Sequence, residues 1–397
     1  MIVDIVVVAV LLVALLLGLR SGLLAALGAL IGLTLGALVA YWVVPMVLPV
    51  LGDVFPSPAW RGIAVVIGSI VLVAGAAVAG SAVGAAGRRG VVRIRLGWLE
   101  RLLGGALSVA VAGLAISLVA QTVVVAGIPH LSAAVASSRV VRAIDTLTPP
   151  PVDAALAQVR GAFLEEGLPS LGNLFGPGIV VDPGTPAPEV ALDDPALNAA
   201  AQSVARISGV AYACGTSSTG SGFVAADDRI MTNAHVVAGV TEPVVELPGG
   251  TSRQGRIVYF DPVDDLAVIA VDDLGVAPLA VAAPLVIGEE AVVQGYPYGG
   301  PFTMTGARVL SVGVVDVPDI TDTASAPRDI YALAAAVRPG NSGGPLLNAA
   351  GDVAGVVFAR AQSGEDLGYA MTPAEFAPVV TQAPALTAAV SSGTCAD

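Results

Sequence analysis

Four long apolar stretches open the chain, near residues 3 to 19, 22 to 50, 62 to 86 and 102 to 127, with hardly a charge inside them. At 1.5 Å per residue, each is long enough to cross a hydrocarbon core of about 30 Å as a helix. The pattern then changes. LSAAVASSRVVRAIDTL and VDAALAQVRGAFLEEG predict two short amphipathic helices parted by Pro149, Pro150 and Pro151, and the stretch from Gly176 to Pro195 is Pro-rich and irregular. From about residue 207, short Val-, Ile- and Ala-rich runs alternate with Gly, Pro and Asp: VAYA, GSGFVAA, RIMTNAHVV, EPVVELP, RIVYF, DLAVIAV, EEAVVQGYP, ARVLSVGVVDV, DIYALAAAV, DVAGVVFAR and DLGYAMT. Such closely spaced strand candidates with few helices between them predict an all-β barrel or sandwich. The layout is thus a four-helix transmembrane domain over residues 1–128, a helical and Pro-rich extracytoplasmic connector over 129–195, and an all-β domain over 196–397.

Charge divides the chain in the same place. Only 12% of its residues are charged, and every one of its 18 bases is Arg. Residues 1–128 carry seven Arg against Asp4, Asp53 and Glu100, whereas the remainder carries 11 Arg against 28 acids. So acidic a second part is a poor partner for nucleic acid, which is bound by clustered bases. Two Cys and two His leave too few ligands for a zinc site of the usual kind, and no metal or other cofactor is expected. Arg88, Arg89, Arg93, Arg95 and Arg101 gather in or beside the third connection, which places that connection in the cytoplasm and everything after about residue 128 outside. A cleaved signal peptide competes for the first stretch. That run is too long, however, Asp4 replaces the basic start, and further apolar segments follow. Gly28, Gly32 and Gly36 recur every four residues and Gly80 and Gly84 repeat the spacing, a pattern for close helix packing in lipid. No acid or His lies mid-span to suggest an ion path. His130, with no second ligand type nearby, is taken as a surface or interface residue.

Three segments of the second part carry chemistry. Thr232-Asn233-Ala234-His235 holds the only His after residue 130, so any general base that needs imidazole must be this one. Asp261-Pro262-Val263-Asp264-Asp265-Leu266 heads an apolar run, where an acid serves either to cap a loop or to orient the His. In Pro339-Gly340-Asn341-Ser342-Gly343-Gly344-Pro345, flanking glycines permit a tight turn that exposes the Ser342 hydroxyl and points the N–H groups of Gly340 and Ser342 at one spot, as an oxyanion requires. GNSGG also satisfies the GxSxG elbow, but those hydrolases place their His after the Ser, and no His follows Ser342. His, Asp, Ser is the chain order of chymotrypsin-like proteases, whose double β-barrel with the site in the cleft fits the strand pattern.

The opening VDIVVVAVLLVALLLGLRSGLL resembles the colicin V production (CvpA) family. GSGFV, RIMTNAHVV, DPVDDLAVIAV, GYPYGG and GNSGGPLLN resemble the HtrA (DegP) branch of trypsin-like proteases over about residues 205 to 380. The joined pair is similar to membrane-anchored periplasmic serine proteases of acid resistance. The resemblance implies His235 as general base, Ser342 as nucleophile and the Gly340–Ser342 backbone as oxyanion hole. The family's acid precedes a Leu/Ile/Val-Ala pair, which selects Asp265; Asp264 would put its side chain on the opposite strand face. Val357, Phe358 and Ala359 occupy the strand that lines the family's primary pocket, with Ala336 nearby, and no acid is evident at the pocket base. Only about twenty residues follow the last strand, so a PDZ domain with its oligomeric control is not expected and the protease domain is taken as monomeric. Cys214 and Cys395, the only two thiols of an outward-facing domain, are expected to pair and staple the tail to the first barrel, contributing on the order of 4 to 5 kcal/mol, and are a candidate redox switch.

The function expected is a membrane-anchored serine endopeptidase acting on cell-envelope proteins, including under acid stress. Two rivals remain: a catalytically silent protease fold used as a sensor, and a membrane scaffold or secretion factor.

Overall fold

The computed structural model describes residues 2–54, 71–72, 75–86, 97–125, 134–135, 138–149, 152, 169–171, 174–175, 187–188, 194–211, 216–249, 252–362, 366–393 and 396. The chain divides into two compact units, Met1–Ser117 and Leu118–Asp397.

The first unit is helical: α1 (Ile2–Ser21), α2 (Leu23–Val54), α3 (Gly75–Ala86) and α4 (Gly97–Val125). Among the described residues, two windows are long and apolar enough to cross a membrane, Ile2–Ser21 and Trp98–Ser117; Leu23–Gly36 and Gly75–Ala86 are shorter apolar segments. Of the four spans expected from sequence, two are clearly of spanning length here, and much of the third lies outside the described residues. In α1 the side chains of Ile2, Ile5, Leu12, Leu16 and Leu17 are each more than half exposed. A helix so greasy on its outer face suits lipid rather than water. The glycine stripe does what its spacing predicted. Gly28 lies against the backbone of Gly80, Gly32 against Ala76 and Gly84 against Leu24, so closely that a single added methyl at any of them would overlap the facing main chain. A second contact of this kind, Gly18 of α1 and Gly22 just beyond its end against Gly104 of α4, repeats the four-residue spacing and was not anticipated.

In the second unit α5 (Arg139–Leu147) is the first of the two connector helices, capped by the Ser138 hydroxyl, which accepts from Val141 N–H at 3.3 Å. The second expected connector helix, His130 and most of the Pro-rich stretch lie outside the described residues. A two-residue strand, β1 (Ser170–Leu171), and α6 (Pro195–Ala201), capped by Asp194, precede the barrels.

The first barrel is a seven-stranded sheet built from β2 (Val204–Ala211), β3 (Thr216–Ala226), β4 (Arg229–Thr232), β5 (Val244–Glu246), β6 (Ser252–Gln254), β7 (Arg256–Asp261) and β8 (Leu266–Ala270), in the order β6-β5-β2-β3-β4-β8-β7. A helical turn, α7 (Ala234–Val237), follows β4. The second comprises β9 (Glu290–Gly295), β10 (Thr303–Pro318), β11 (Ser325–Ala334), β12 (Pro345–Leu347), β13 (Val353–Ala361) and β14 (Leu367–Met371), ordered β1-β13-β12-β9-β10-β11-β14 and closed by β13–β14 pairing. A last helix, α8 (Pro373–Gln382), packs on it.

Strand alternation explains why these runs are apolar on both faces. In β8, Ala267 and Ile269 fill the first barrel, while Leu266, Val268 and Ala270 face the layer between the barrels. That layer also takes Phe223, Met231, Phe358, Tyr369 and Phe376, and the second barrel has its own interior of Val293, Val309, Leu333 and Val357. Each large apolar side chain so buried stabilises the fold by roughly 1.5–3 kcal/mol. The structure departs from the sequence reading in that β2 begins at Val204, ahead of VAYA, and β10 begins at Thr303. The short strands β6 and β12 and the helices α6 and α8 were also not foreseen.

Candidate active site

His235 is carried on α7, directly after β4. Asn233 caps this turn, and its Nδ2 donates to the Asp265 carbonyl at 2.9 Å, joining the His segment to the turn before β8. The Asp265 carboxylate then meets the ring: His235 Nδ1 lies 2.8 Å from Oδ2 and 3.0 Å from Oδ1, and the His235 backbone N–H donates to Oδ1 at 2.9 Å. Both side chains are buried, 6% and 4% exposed. With its proton on Nδ1, the ring presents Nε2 as a base, and Nε2 is buried with no hydrogen-bond partner.

Asp264 does not reach the His. It stands in the same turn, its N–H donating to Asp261 Oδ1 at 3.0 Å, and burial together with Asp261 pushes its carboxyl above the ordinary range. The reason Asp265 is the one turned inward differs from the sequence argument. Strand alternation does not decide it, because residues 262–265 form a turn and β8 starts only at Leu266; Asp265 ends that turn with φ +55, a left-handed conformation that Asp tolerates.

The Ser342 turn is held from both barrels. Gly340 (φ +94) and Gly343 (φ +79) occupy left-handed positions, where other side chains are strained. There is also no room for one: a Cβ on Gly340 would stand 2.8 Å from Tyr298 N and 3.1 Å from Gly299 N, and one on Gly343 would stand 3.0 Å from Asn233 N. The second of these contacts shows how closely the Ser342 turn abuts the His segment. Ser221 of β3 is the clamp: its N–H donates to the Ser342 carbonyl at 2.8 Å, its hydroxyl donates to the Gly340 carbonyl at 2.7 Å and accepts from Tyr296 N–H at 2.9 Å. Tyr298 N–H donates to Pro339 O at 2.6 Å, and the Asn341 side chain accepts from Arg338 N–H at 2.9 Å. On the far side Gly343 N–H donates to Val357 O and Val357 N–H to Gly344 O, at 2.8 and 3.0 Å. Sequence reading missed Ser221, although GSGFV contains it.

Behind the loop Tyr296–Gly300, Arg206 is buried, donating to Gly299 O at 2.7 Å and to Glu246 at 2.7 Å. Burial works against the Arg206 charge, and Glu246 more than offsets it. The residues expected to line a substrate pocket are placed differently from that expectation. The Val357 side chain enters the second barrel and those of Phe358 and Ala359 the layer between the barrels, so what β13 offers here is its backbone. The cause is a bulge between Val357 and Ala359 that re-phases the strand. Ala336 is half-buried. Further along β13, Arg360 N–H and Gln362 N–H donate to Pro169 O and Leu171 O of the connector, both at 3.0 Å. Cys214 and Cys395 lie outside the described residues; beside them, Gly393 stands against Phe260 and Ala396 against the cluster of Ala234, Ala238 and Ile320.

This arrangement has known counterparts. A model of the trypsin-like peptidase domain matches residues 220–356, and one of the colicin V production protein family matches residues 3–149. The serine protease Rv3671c of Mycobacterium tuberculosis is 36% identical over 269 residues, 67% of either chain. The chain belongs to the trypsin-like serine proteases. Within them it is HtrA-like. The putative serine protease HhoB of Synechocystis is 38% identical to this protease over 160 residues, 38% of this chain and 37% of that one. The crystal structure of the active form of the Rv3671c protease, 34% identical, matches with a TM-score of 0.51 over 58% of this chain and 96% of that one.

Proposed function

We propose that the protease is anchored in the membrane by its apolar helices, four spans in all, and hydrolyses extracytoplasmic proteins with Ser342, His235 and Asp265. The observation that carries this reading is the His235–Asp265 contact, which commits Nδ1 to a buried carboxylate and leaves Nε2 to take a proton. In this mechanism the Ser342 hydroxyl attacks a peptide carbonyl while Nε2 accepts its proton. Asp265 holds the ring and stabilises the imidazolium, and the N–H groups of Gly340 and Ser342 receive the oxyanion. The tetrahedral intermediate collapses as Nε2 returns the proton to the leaving amine, and water releases the acyl-enzyme by the same route. No metal or other cofactor enters these steps.

The Arg-rich third connection supports a cytoplasmic loop there and an outward-facing protease unit. Cell-envelope proteins are then the substrates within reach, and acid stress is the setting suggested by the combination of a CvpA-like part with an HtrA-like protease. In detergent, the full chain is expected to cleave an unfolded protein such as casein and the Ser342→Ala variant is not. Equal cleavage by both would overturn the reading. Sidedness is read separately, by whether a protease added to spheroplasts digests the C-terminal unit.

A further inference from the structure

Arg328 is buried to 1% exposure, and no step above uses it. It stands on β11 opposite Val315 of β10, and its guanidinium reaches out of the second barrel toward the turn that carries Asp265. Its Nη2 donates to the Val263 carbonyl and, at 2.8 Å, to Pro318 O, and its guanidinium carbon lies 5.9 Å from the centroid of the Phe358 ring. Beside it Ile320 N–H, from the tip of the same β10–β11 hairpin, donates to Pro262 O at 3.2 Å. Two consecutive carbonyls of the 262–265 turn, those of Pro262 and Val263, are therefore gripped from the second barrel, within three residues of Asp265, whose carboxylate holds His235.

The charges around Arg328 are one-sided. Asp265, Asp264 and Asp261 face it from the turn and Glu375 from α8, while Asp329 beside it binds Thr372 and receives Glu375 on its N–H. Burial pulls the Arg328 charge down and these acids hold it up. An arginine at such a place stays protonated, because its intrinsic basicity is far above any pH the fold meets.

We propose that Arg328 is a positioning residue for the proteolytic reaction: it fastens the Asp265 turn to the second barrel, and its charge offsets the carboxylates behind the His235–Asp265 pair so that His235 remains a free base further into acid. The inference rests on the triad reading above. Without Arg328 the cluster presents unopposed negative charge behind the ring, which favours the imidazolium and removes the base at a higher pH.

The test is the pH profile of kcat/KM for a short peptide ester, measured on the full chain with Arg328→Met, Arg328→Lys and Glu375→Gln. Met keeps the stem over Phe358 and loses the charge and both hydrogen bonds. Its acid limb is expected to move up by about half to one pH unit and its plateau to fall about tenfold. Lys keeps the charge without the fork, so its limb stays in place while the plateau falls. Glu375→Gln keeps an acceptor for Asp329 N–H and removes one negative charge, so its limb moves down. A Met limb that coincides with wild type overturns the proposal, as does a Lys limb that moves with Met or a Glu375→Gln limb that moves up. Should Met fail to fold, the Lys and Gln variants still decide. Failure of the triad reading itself looks different: His235→Ala would then retain wild-type activity.

Discussion

Replacing Ser221 by Ala removes a single oxygen that neither barrel can replace. The residue is fully buried, and its hydroxyl both donates to Gly340 O at 2.7 Å and accepts from Tyr296 N–H at 2.9 Å. In the Ala variant both backbone groups lose their partner in a fully buried place. An orphaned buried group costs about 1–3 kcal/mol, so the pair costs about 2–6 kcal/mol and lowers Tm by about 4–24 °C for a unit of this size. Activity follows from geometry. The Ser221 N–H still holds Ser342 O, Tyr298 N–H still holds Pro339 O and Asn341 N–H still donates to Arg338 O, but the Gly340–Asn341 peptide loses the anchor on its carbonyl side, and it adjoins the proposed oxyanion donors. Complete loss of one such donor costs 10²–10³ in kcat, so partial misorientation is expected to lower kcat by about tenfold with KM unchanged. Thermal unfolding and steady-state hydrolysis of a peptide ester give both numbers. A variant that loses stability as expected while keeping wild-type kcat refutes the claim that this clamp shapes the oxyanion site.

Gly340→Ala meets a left-handed φ and the Tyr298 and Gly299 amides at once, so kcat is expected to fall by about 10²-fold or more, read against the same ester. Asp265→Asn should abolish most activity, and Asp264→Asn should retain it. Because the Asp264 carboxyl is held above its ordinary value of 3.8 by burial, the folded chain binds that proton more tightly than the unfolded chain. Stability from this group is thus gained as pH falls through the folded value and lost as pH rises, and Asp264→Asn should raise Tm at neutral pH and lose that advantage by about pH 4. Gly80→Leu drives a side chain into the Gly28 backbone and should destabilise the helical unit in detergent, followed by its own thermal transition, while peptide-ester hydrolysis persists.

The parts of this protein that follow a period were legible in its sequence. The runs of β8 and β13 read as strands because alternate residues fill two different cores, and the Gly28–Gly84 stripe read as a helix contact because its spacing is that of a helix face. His235 stood out by scarcity and Ser342 by its glycines. What was hidden depends on breaks in period or on distant backbone. The bulge at Phe358 turned an expected pocket wall into core. Asp265 points at His235 through a left-handed turn rather than through strand alternation. Arg328 gives no signal along the chain, because its partners are carbonyls at Val263 and Pro318 that only the β10–β11 hairpin brings together.

The central claim, a Ser342 nucleophile activated by His235, is tested most directly by reacting the purified full chain with a fluorophosphonate and locating the adduct by peptide mass spectrometry. One label per chain, on Ser342, lost in His235→Ala and strongly slowed in Asp265→Asn, is the result expected. A chain that takes no label, or takes it at another residue, or labels Ser342 as fast without His235, contradicts the account.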